Sequence, residues 1–342
     1  MPAPDRDWEG VRLHVVTGKG GTGKTTVAAA LALALAGEGN RVLLAEVEGR
    51  QGIAQLFDVP PLPFVERKVA VGLGGGEVLG LAVDAKAALW EYLQLFYKLG
   101  RAGHLLERFG VVDFATTVAP GMRDVLMTGK VYEAVRRRGE SRETNRRSSS
   151  RSTAPPTYDA VVLDAPPTGR IARFLDVNAE VAGLARVGPI RTQADSITRL
   201  LHSPLTVVHV VTLLEEMPVQ ESLDALEELA AHDLPLGGLV VNAVREPVLR
   251  VKELTAAAAG TLDRSVVADG LTAAGLSADP AVVDGLLTEA AEHGARVALE
   301  KRELSRVKAA GRPTYQLPAL SDGVDLGGLY ELARLLADQG MT

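Results

Sequence analysis

Gly18-Lys19-Gly20-Gly21-Thr22-Gly23-Lys24-Thr25-Thr26 is the stretch that decides the fold. An apolar run, Leu13-His14-Val15-Val16, precedes it, and an Ala/Leu-rich stretch from Val27 to Ala36 follows. This is the strand–loop–helix setting that a phosphate-binding loop requires. Closely spaced glycines let the chain turn so that the N–H groups of Gly20, Gly21, Thr22 and Gly23 can face phosphate oxygens. A helix starting near Lys24 adds its positive end. Lys24 is expected to reach the β- and γ-phosphates, the Thr25 hydroxyl to bind Mg²⁺, and Thr26 to complete the binding turn. Lys19, directly after the first glycine, is a second lysine that an ordinary loop of this kind does not need.

The same glycines satisfy a rival pattern. Gly18-x-Gly20-x-x-Gly23 fits a dinucleotide fingerprint, with Glu46 near the position of a ribose-binding acid. Lys24-Thr25 directly after the last glycine suits a triphosphate and its metal and has no place in that fingerprint. A glycine turn without a ligand fits poorly, because four glycines and two lysines at a helix start cost stability unless an anion compensates.

The chain has 342 residues, enough for one large domain or two ordinary ones. Apolar residues make up 46% and aromatics only 4%, so Ala, Val and Leu must build the core, as in helices layered on a parallel sheet. The net charge of −6 gives no global footprint for nucleic acid, which is not expected as a partner. The absence of cysteine excludes disulfides, thiolate metal sites and Cys nucleophiles. No apolar run reaches a membrane span, and the N-terminus is polar and broken by prolines, so a cytoplasmic location without an integral membrane segment is expected.

Short β-branched runs recur between helical patterns: Leu13–Thr17, Arg41–Val47, Leu79–Val83, Ala160–Asp164, Val207–Thr212, Leu239–Asn242 and Thr314–Leu317. They predict an α/β fold with a doubly wound, mainly parallel sheet. His209, inside an almost wholly apolar run, reads as a core histidine. The stretches Ala85–Arg138 and Ala179–Leu201 are too long for simple crossovers and predict an inserted helical subdomain. The expected division is an ATPase-type core over 8–84, 157–178 and 204–342, and a helical subdomain over 85–135 and 179–203. Segment 250–310 reads as Ala-rich helical turns broken by Gly260, Gly270, Gly275, Gly285 and Gly294. Residues 136–156 hold seven arginines, a serine run and no large apolar residue, so a flexible loop is expected there.

Further acids complete the site. Tyr158–Asp164 reads as a strand ending in Asp164, placed to bind the metal with Thr25. Ala165-Pro166-Pro167-Thr168-Gly169 after it suits a loop that responds to the γ-phosphate. Glu46 and Glu48 follow the second strand run. Either could orient the attacking water or be a surface acid at a strand end, and Glu48 is the preferred candidate. Asn242 could read an adenine edge together with the loop after Pro318, or simply end its strand as a turn residue.

Together these segments resemble the P-loop ATPases with a deviant Walker A motif, in the branch of the arsenical-pump and tail-anchored-protein-targeting ATPases. Gly18–Thr26 with Lys19 carries the likeness, as do Asp164-Ala-Pro-Pro-Thr-Gly-Arg-Ile-Ala-Arg173, Leu81–Leu89, Val241-Asn242 and Tyr315–Leu320. Gly188–Gln193 and Leu214–Pro218 are similar to the actinobacterial members, which occur as two paralogues thought to pair. The resemblance implies Mg²⁺-dependent ATP hydrolysis in a homodimer, or in a heterodimer with a paralogous ATPase. Lys19 would act across the interface on the partner's nucleotide. The implied client is a protein or a membrane-associated one; the alternative is a scaffold subunit with little turnover of its own.

Departures are equally informative. The family's first switch reads S-T-D-P-A-H, where this chain has Glu46-Val-Glu48-Gly-Arg-Gln51, so Glu48 stands in for a shorter acid. Without cysteines, neither an intersubunit zinc nor arsenite held by thiolates is expected. A methionine-rich client groove is not evident, since only Met122 and Met127 fall in the first helical stretch. In a lone protomer Lys19 is expected to crowd Lys24, which makes a nucleotide-bridged dimer the way to give that charge a purpose.

Overall fold

The computed structural model describes residues 7–37, 39–72, 74–97, 121–139, 155–184, 189–321 and 323–342. Eight strands form one sheet: β1 (Leu13–Gly18), β2 (Arg41–Glu46), β3 (Arg67–Val71), β4 (Glu77–Ala82), β5 (Ala160–Asp164), β6 (Thr206–Thr212), β7 (Leu236–Val244) and β8 (Thr314–Pro318). Their order is β3-β4-β2-β5-β1-β6-β7-β8. Every pairing is parallel except β3 with β4, which is antiparallel. The expected α/β fold with a mainly parallel sheet is therefore the one observed. The strand absent from the sequence reading is β3. It lies on the edge and is only half covered, so it lacks the continuous apolar run that betrays a strand buried on both faces.

One face carries α1 (Lys24–Ala36), the short α2 (Gly52–Leu56) and α11 (Leu326–Asp338). Helix α1 is buried from Val27 through Ala36, wedged between the sheet and α11. It consequently has no polar face, and Ala and Leu alternate around it. The other face carries α4 (Met122–Arg136), α5 (Thr168–Leu184), α6 (Pro189–Leu201) and α7 (Glu216–Ala231), with α3 (Ala85–Tyr97) packed on α4. Met127, Val131, Ile171, Phe174, Ile197 and Leu201 belong to the same buried cluster as the strands.

Segment 250–310 differs from its reading. It folds as α8 (Val251–Ala258), α9 (Arg264–Ala273) and an unbroken 30-residue α10 (Pro280–Ala309). Gly260 and Gly275 do end helices, at φ of 66° and 73°. Gly270, Gly285 and Gly294 lie within helices. Gly294 is there for closeness: a Cβ would come within 2.7 Å of the Ala258 nitrogen and 2.8 Å of the Leu254 oxygen, so α8 and α10 cross backbone to backbone.

Of the expected loop 136–156, the ends are described. Arg138 bridges Pro156 in antiparallel fashion, and Arg137 forms ion pairs with Glu133 and Glu66 at 2.6 Å. Residues 140–154 lie outside the described residues, as does Leu99; the side chains of Leu93, Leu95, Phe96 and Met122 do too. On α3, Leu89 is buried with Ala88 and Leu126. Among the described residues no helix is long and apolar enough to cross a membrane.

Candidate functional site

The glycine-rich loop leaves β1 in mid-sheet, between β5 and β6, and runs directly into α1. Its glycines have distinct reasons. A Cβ at Gly18 would run into the Val211 carbonyl, and one at Gly23 into the Asn242 amide. Gly21 and Gly23 sit at φ of 90° and 85°, in the left-handed region. At Gly20 and Gly21 nothing lies within 4 Å of where a Cβ would be, so space is open on that side of the loop. The first turn of α1 carries no acidic residue to offset its positive end. Thr22 closes the loop on itself, its hydroxyl donating to the Lys19 carbonyl at 2.8 Å.

Asn242 braces this loop. Strand β7 loses register between Val241 and Val244, and Ala243 takes a φ of 53°. Such a bulge re-aims a side chain at the end of a strand. The Asn242 Nδ2 donates to the Thr22 carbonyl at 2.9 Å, which leaves Oδ1 as its remaining acceptor. Pro318 ends β8 beside Val244.

The acids divide into three environments. Asp164, at the end of β5, accepts from the Thr25 hydroxyl at 2.7 Å through Oδ2, while its buried Oδ1 has no partner among the described residues. Burial pushes the Asp164 carboxyl up to about 6; the Thr25 hydrogen bond and Lys24 pull it down, and Glu46 and Glu48 add to the rise. Lys24 is buried too. Desolvation lowers its pKa, and the charges of Asp164 and Glu48 oppose that. Glu46 is wholly engaged: one oxygen accepts the Gln51 N–H at 2.7 Å and the other the Ile53 N–H at 3.1 Å. It holds the start of α2, where Gly52 lies close enough that a Cβ would be 3.1 Å from the Thr25 methyl. Glu46 is thus a brace for the turn, with each oxygen engaged by a backbone N–H. Glu48, paired only loosely with Arg50 at 3.4 Å, keeps its carboxylate available near Lys24.

Lys19 departs from its expected position. It does not crowd Lys24; its ammonium reaches Glu221 Oε1 on α7 at 2.6 Å. The repulsion expected in a single protomer is relieved by turning the side chain toward a carboxylate on the neighbouring crossover. Glu221 was invisible to sequence reasoning, since nothing local marks one glutamate of a surface helix as facing a loop some 200 residues earlier. Thr17 was missed as well: its hydroxyl donates to the Pro166 carbonyl at 2.7 Å, and the Ala165 N–H to the Val16 carbonyl at 3.0 Å. These bonds fix the base of the segment after Asp164 against β1.

His209 is fully buried, as its apolar surroundings predict, and it faces His14 with Nε2 3.2 Å from the His14 Nδ1. The Gly238 N–H donates to its Nδ1 at 3.2 Å, so Nε2 carries the proton and donates to His14. Burial holds His14 down at about 4 and His209 well below the usual histidine range.

Comparison with known proteins agrees with this geometry. Residues 11–204 match the model of a family described as anion-transporting ATPase. The chain is 52% identical to the ATPase BagA of Mycobacterium tuberculosis over 332 residues, covering 97% of this chain and 94% of that protein. A second protein of the same strain, Rv2184c, is 28% identical over 245 residues, 68% of this chain and 58% of its own length. A putative arsenical pump-driving ATPase of Aquifex aeolicus is 28% identical over 174 residues, 49% of this chain and 38% of its own.

Proposed function

The chain belongs to the anion-transporting ATPase family, and from that premise we propose that it hydrolyses ATP with Mg²⁺ when two protomers close over their nucleotides. The observation that carries this reading is the Thr25–Asp164 hydrogen bond at the loop, with the second Asp164 oxygen buried and without a partner among the described residues. A hydroxyl and a carboxylate with a free oxygen suit a small hard cation that keeps waters and phosphate oxygens as its other ligands. Among the described residues there is no cluster of three carboxylates or histidines that could hold a metal without a nucleotide. Bound by Thr25 and Asp164, Mg²⁺ would neutralise charge on the β- and γ-phosphate oxygens.

The remaining roles fall to the chain's own side chains. Gly20–Gly23 and Thr26 cradle the phosphates, and Lys24 pairs with the β- and γ-oxygens, a contact that relieves the cost of its burial. Glu48 orients the water for in-line attack. Asn242, with one N–H of its amide donated to Thr22, presents its Oδ1 as an acceptor. That acceptor suits the amino group of adenine, with Pro318 and the loop after it closing over the base. Lys19, released from Glu221, adds its charge to the partner's phosphates. Two relatives in one Mycobacterium tuberculosis strain support pairing with a paralogue as well as with a second copy. Segments 85–135 and 179–203, read from the sequence as a helical subdomain, are assigned to a protein or membrane-associated client.

The Lys19–Glu221 contact also favours a second reading, in which the chain is a nucleotide-binding subunit that turns over slowly until a paralogue joins it. Phosphate release by the chain alone, and mixed with its paralogue, separates the two. Lys24→Ala should abolish turnover in whichever setting shows it. Full turnover by that variant in both settings removes the catalytic assignment.

A further inference from the structure

Three carboxylates, those of Asp164, Glu46 and Glu48, gather at the phosphate loop beside one buried lysine, Lys24. A triphosphate brings more negative charge than that lysine and one Mg²⁺ offset, and in a single protomer Lys19 is held by Glu221. A further cation stands close by: the Arg50 Nη2 is 3.4 Å from the Glu48 Oε2. We propose that the Arg50 guanidinium passes from Glu48 to the γ-phosphate oxygens, a catalytic contact made within one protomer. The inference rests on the reading that Lys24, Thr25 and Glu48 act on ATP.

The backbone gives this arm a fixed base on one side and freedom on the other. Gln51 sits at φ of 57°, the left-handed region that a side chain disfavours. Three hydrogen bonds hold it there. Its N–H is accepted by Glu46 at 2.7 Å, and its side-chain amide donates to the Leu62 carbonyl at 3.1 Å and accepts the Leu62 N–H at 2.7 Å. Strain kept by such ties clusters at working sites. Gly52 follows, pressed on Thr25, so Arg50 stands two residues, at most about 7 Å of chain, from a neighbour of the metal-binding hydroxyl. That is within the reach of an arginine side chain. Before it, Gly49 has φ of 68° and nothing within 4 Å of a Cβ position, which leaves room to swing. The Arg50 side chain is 73% open, so a nucleotide can meet it. Its charge also reaches the loop: desolvation lowers the Lys24 pKa most, and Arg50 lowers it further.

A solvated arginine paired with Glu48 for its own sake is the simpler explanation. It leaves the charge of the triphosphate unmet in a single protomer and the carboxylate that should face water partly engaged. Moving Arg50 to the phosphate resolves both at once, and a guanidinium matches phosphate oxygens in forked geometry. In the step itself the water oxygen bonds to the γ-phosphorus as the bond to the β–γ bridging oxygen breaks, its electron pair leaving with ADP. One water proton goes to Glu48 and on to solvent, and the other stays on the released phosphate. Arg50 meets the charge on the γ-oxygens as they separate.

Calorimetric titration of the full chain with ADP and with a slowly hydrolysed ATP analogue, each with Mg²⁺, tests this. ADP lacks the γ-phosphate. Arg50→Gln should therefore bind ADP as the wild type does and the analogue about ten- to a hundredfold more weakly, the range of one charged hydrogen-bonded contact. Arg50→Lys should recover part of the loss, since it keeps the charge without the fork. In whichever setting shows turnover, alone or with the paralogue, kcat of Arg50→Gln should fall at least tenfold. Lys301→Gln, an equal charge change at an exposed position of α10, should alter neither affinity. Wild-type affinity of Arg50→Gln for the analogue, an equal loss for ADP and analogue, or the same loss in Lys301→Gln overturns the proposal while the ATPase reading stands. A wild-type chain that binds neither nucleotide refutes that reading and this inference with it.

Discussion

Glu221→Gln should tighten the nucleotide-dependent dimer. In a single protomer Lys19 is held by Glu221 at 2.6 Å, so each protomer must break that pair before the lysine can serve its partner. The pair is about one-third exposed, with side-chain accessibilities of 32% and 37%, which places it among surface ion pairs worth about 0.2–1 kcal/mol. Closing a dimer breaks two, so the stored cost is roughly 0.4–2 kcal/mol, or about a 2-fold to 30-fold change in dimer affinity. Glutamine keeps the shape and removes the charge. Sedimentation equilibrium in a slowly hydrolysed ATP analogue would read the gain, with ADP as the reference state. The gap between wild type and variant should narrow at about 0.5 M salt, where surface pairs are screened. The reasoning fails if Lys19→Ala abolishes the dimer while Glu221→Gln leaves it unchanged or weaker. That pair of results would mean that the lysine never leaves its glutamate.

Gly23→Ala should lose nucleotide binding, because the φ of 85° costs a side chain about 1–2 kcal/mol and the new methyl would strike the Asn242 amide; wild-type affinity in a nucleotide titration would contradict this. Glu46→Ala should lower the urea midpoint, leaving two N–H groups unpaired at about 1–3 kcal/mol each, whereas a loss of turnover at unchanged stability would return Glu46 to the role of water-orienting acid. The histidine pair predicts acid sensitivity. The unfolded chain binds a proton at His14 below about pH 6.5, which the folded chain refuses until about pH 4, so stability is full above that window and falls as pH drops through it, by roughly 3 kcal/mol for this residue. His14→Gln should flatten that part of the profile, and equal slopes in urea melts of both proteins between pH 7 and pH 4.5 would refute it.

Most of the sheet was legible because strands covered on both faces carry unbroken runs such as Val207–Val211, and the phosphate loop because Lys24-Thr25 directly follows its glycines. Edge strand β3 was not, since a half-exposed strand is only weakly patterned. The unbroken course of α10 was hidden by glycines that signal close helix packing as readily as helix ends. Asp164 and Thr25 could be paired in advance because both follow from the ends of adjacent strands. The separation of Glu46 from Glu48 could not, since it depends on where a turn folds its N–H groups. Lys19 shows the same limit: its charge was readable, its partner on α7 was not.

Helix α1 has a consequence for how this molecule fails. Its start bears the residues proposed to bind phosphate, and its body has no surface of its own, being roofed by α11. Leu329, Leu332, Ala333 and Leu336 form that roof, none of them part of the phosphate loop. Lesions in the last twenty residues, remote from every catalytic group, should therefore show up first as lost ATP affinity. A nucleotide assay would in effect report the integrity of the carboxyl-terminal helix.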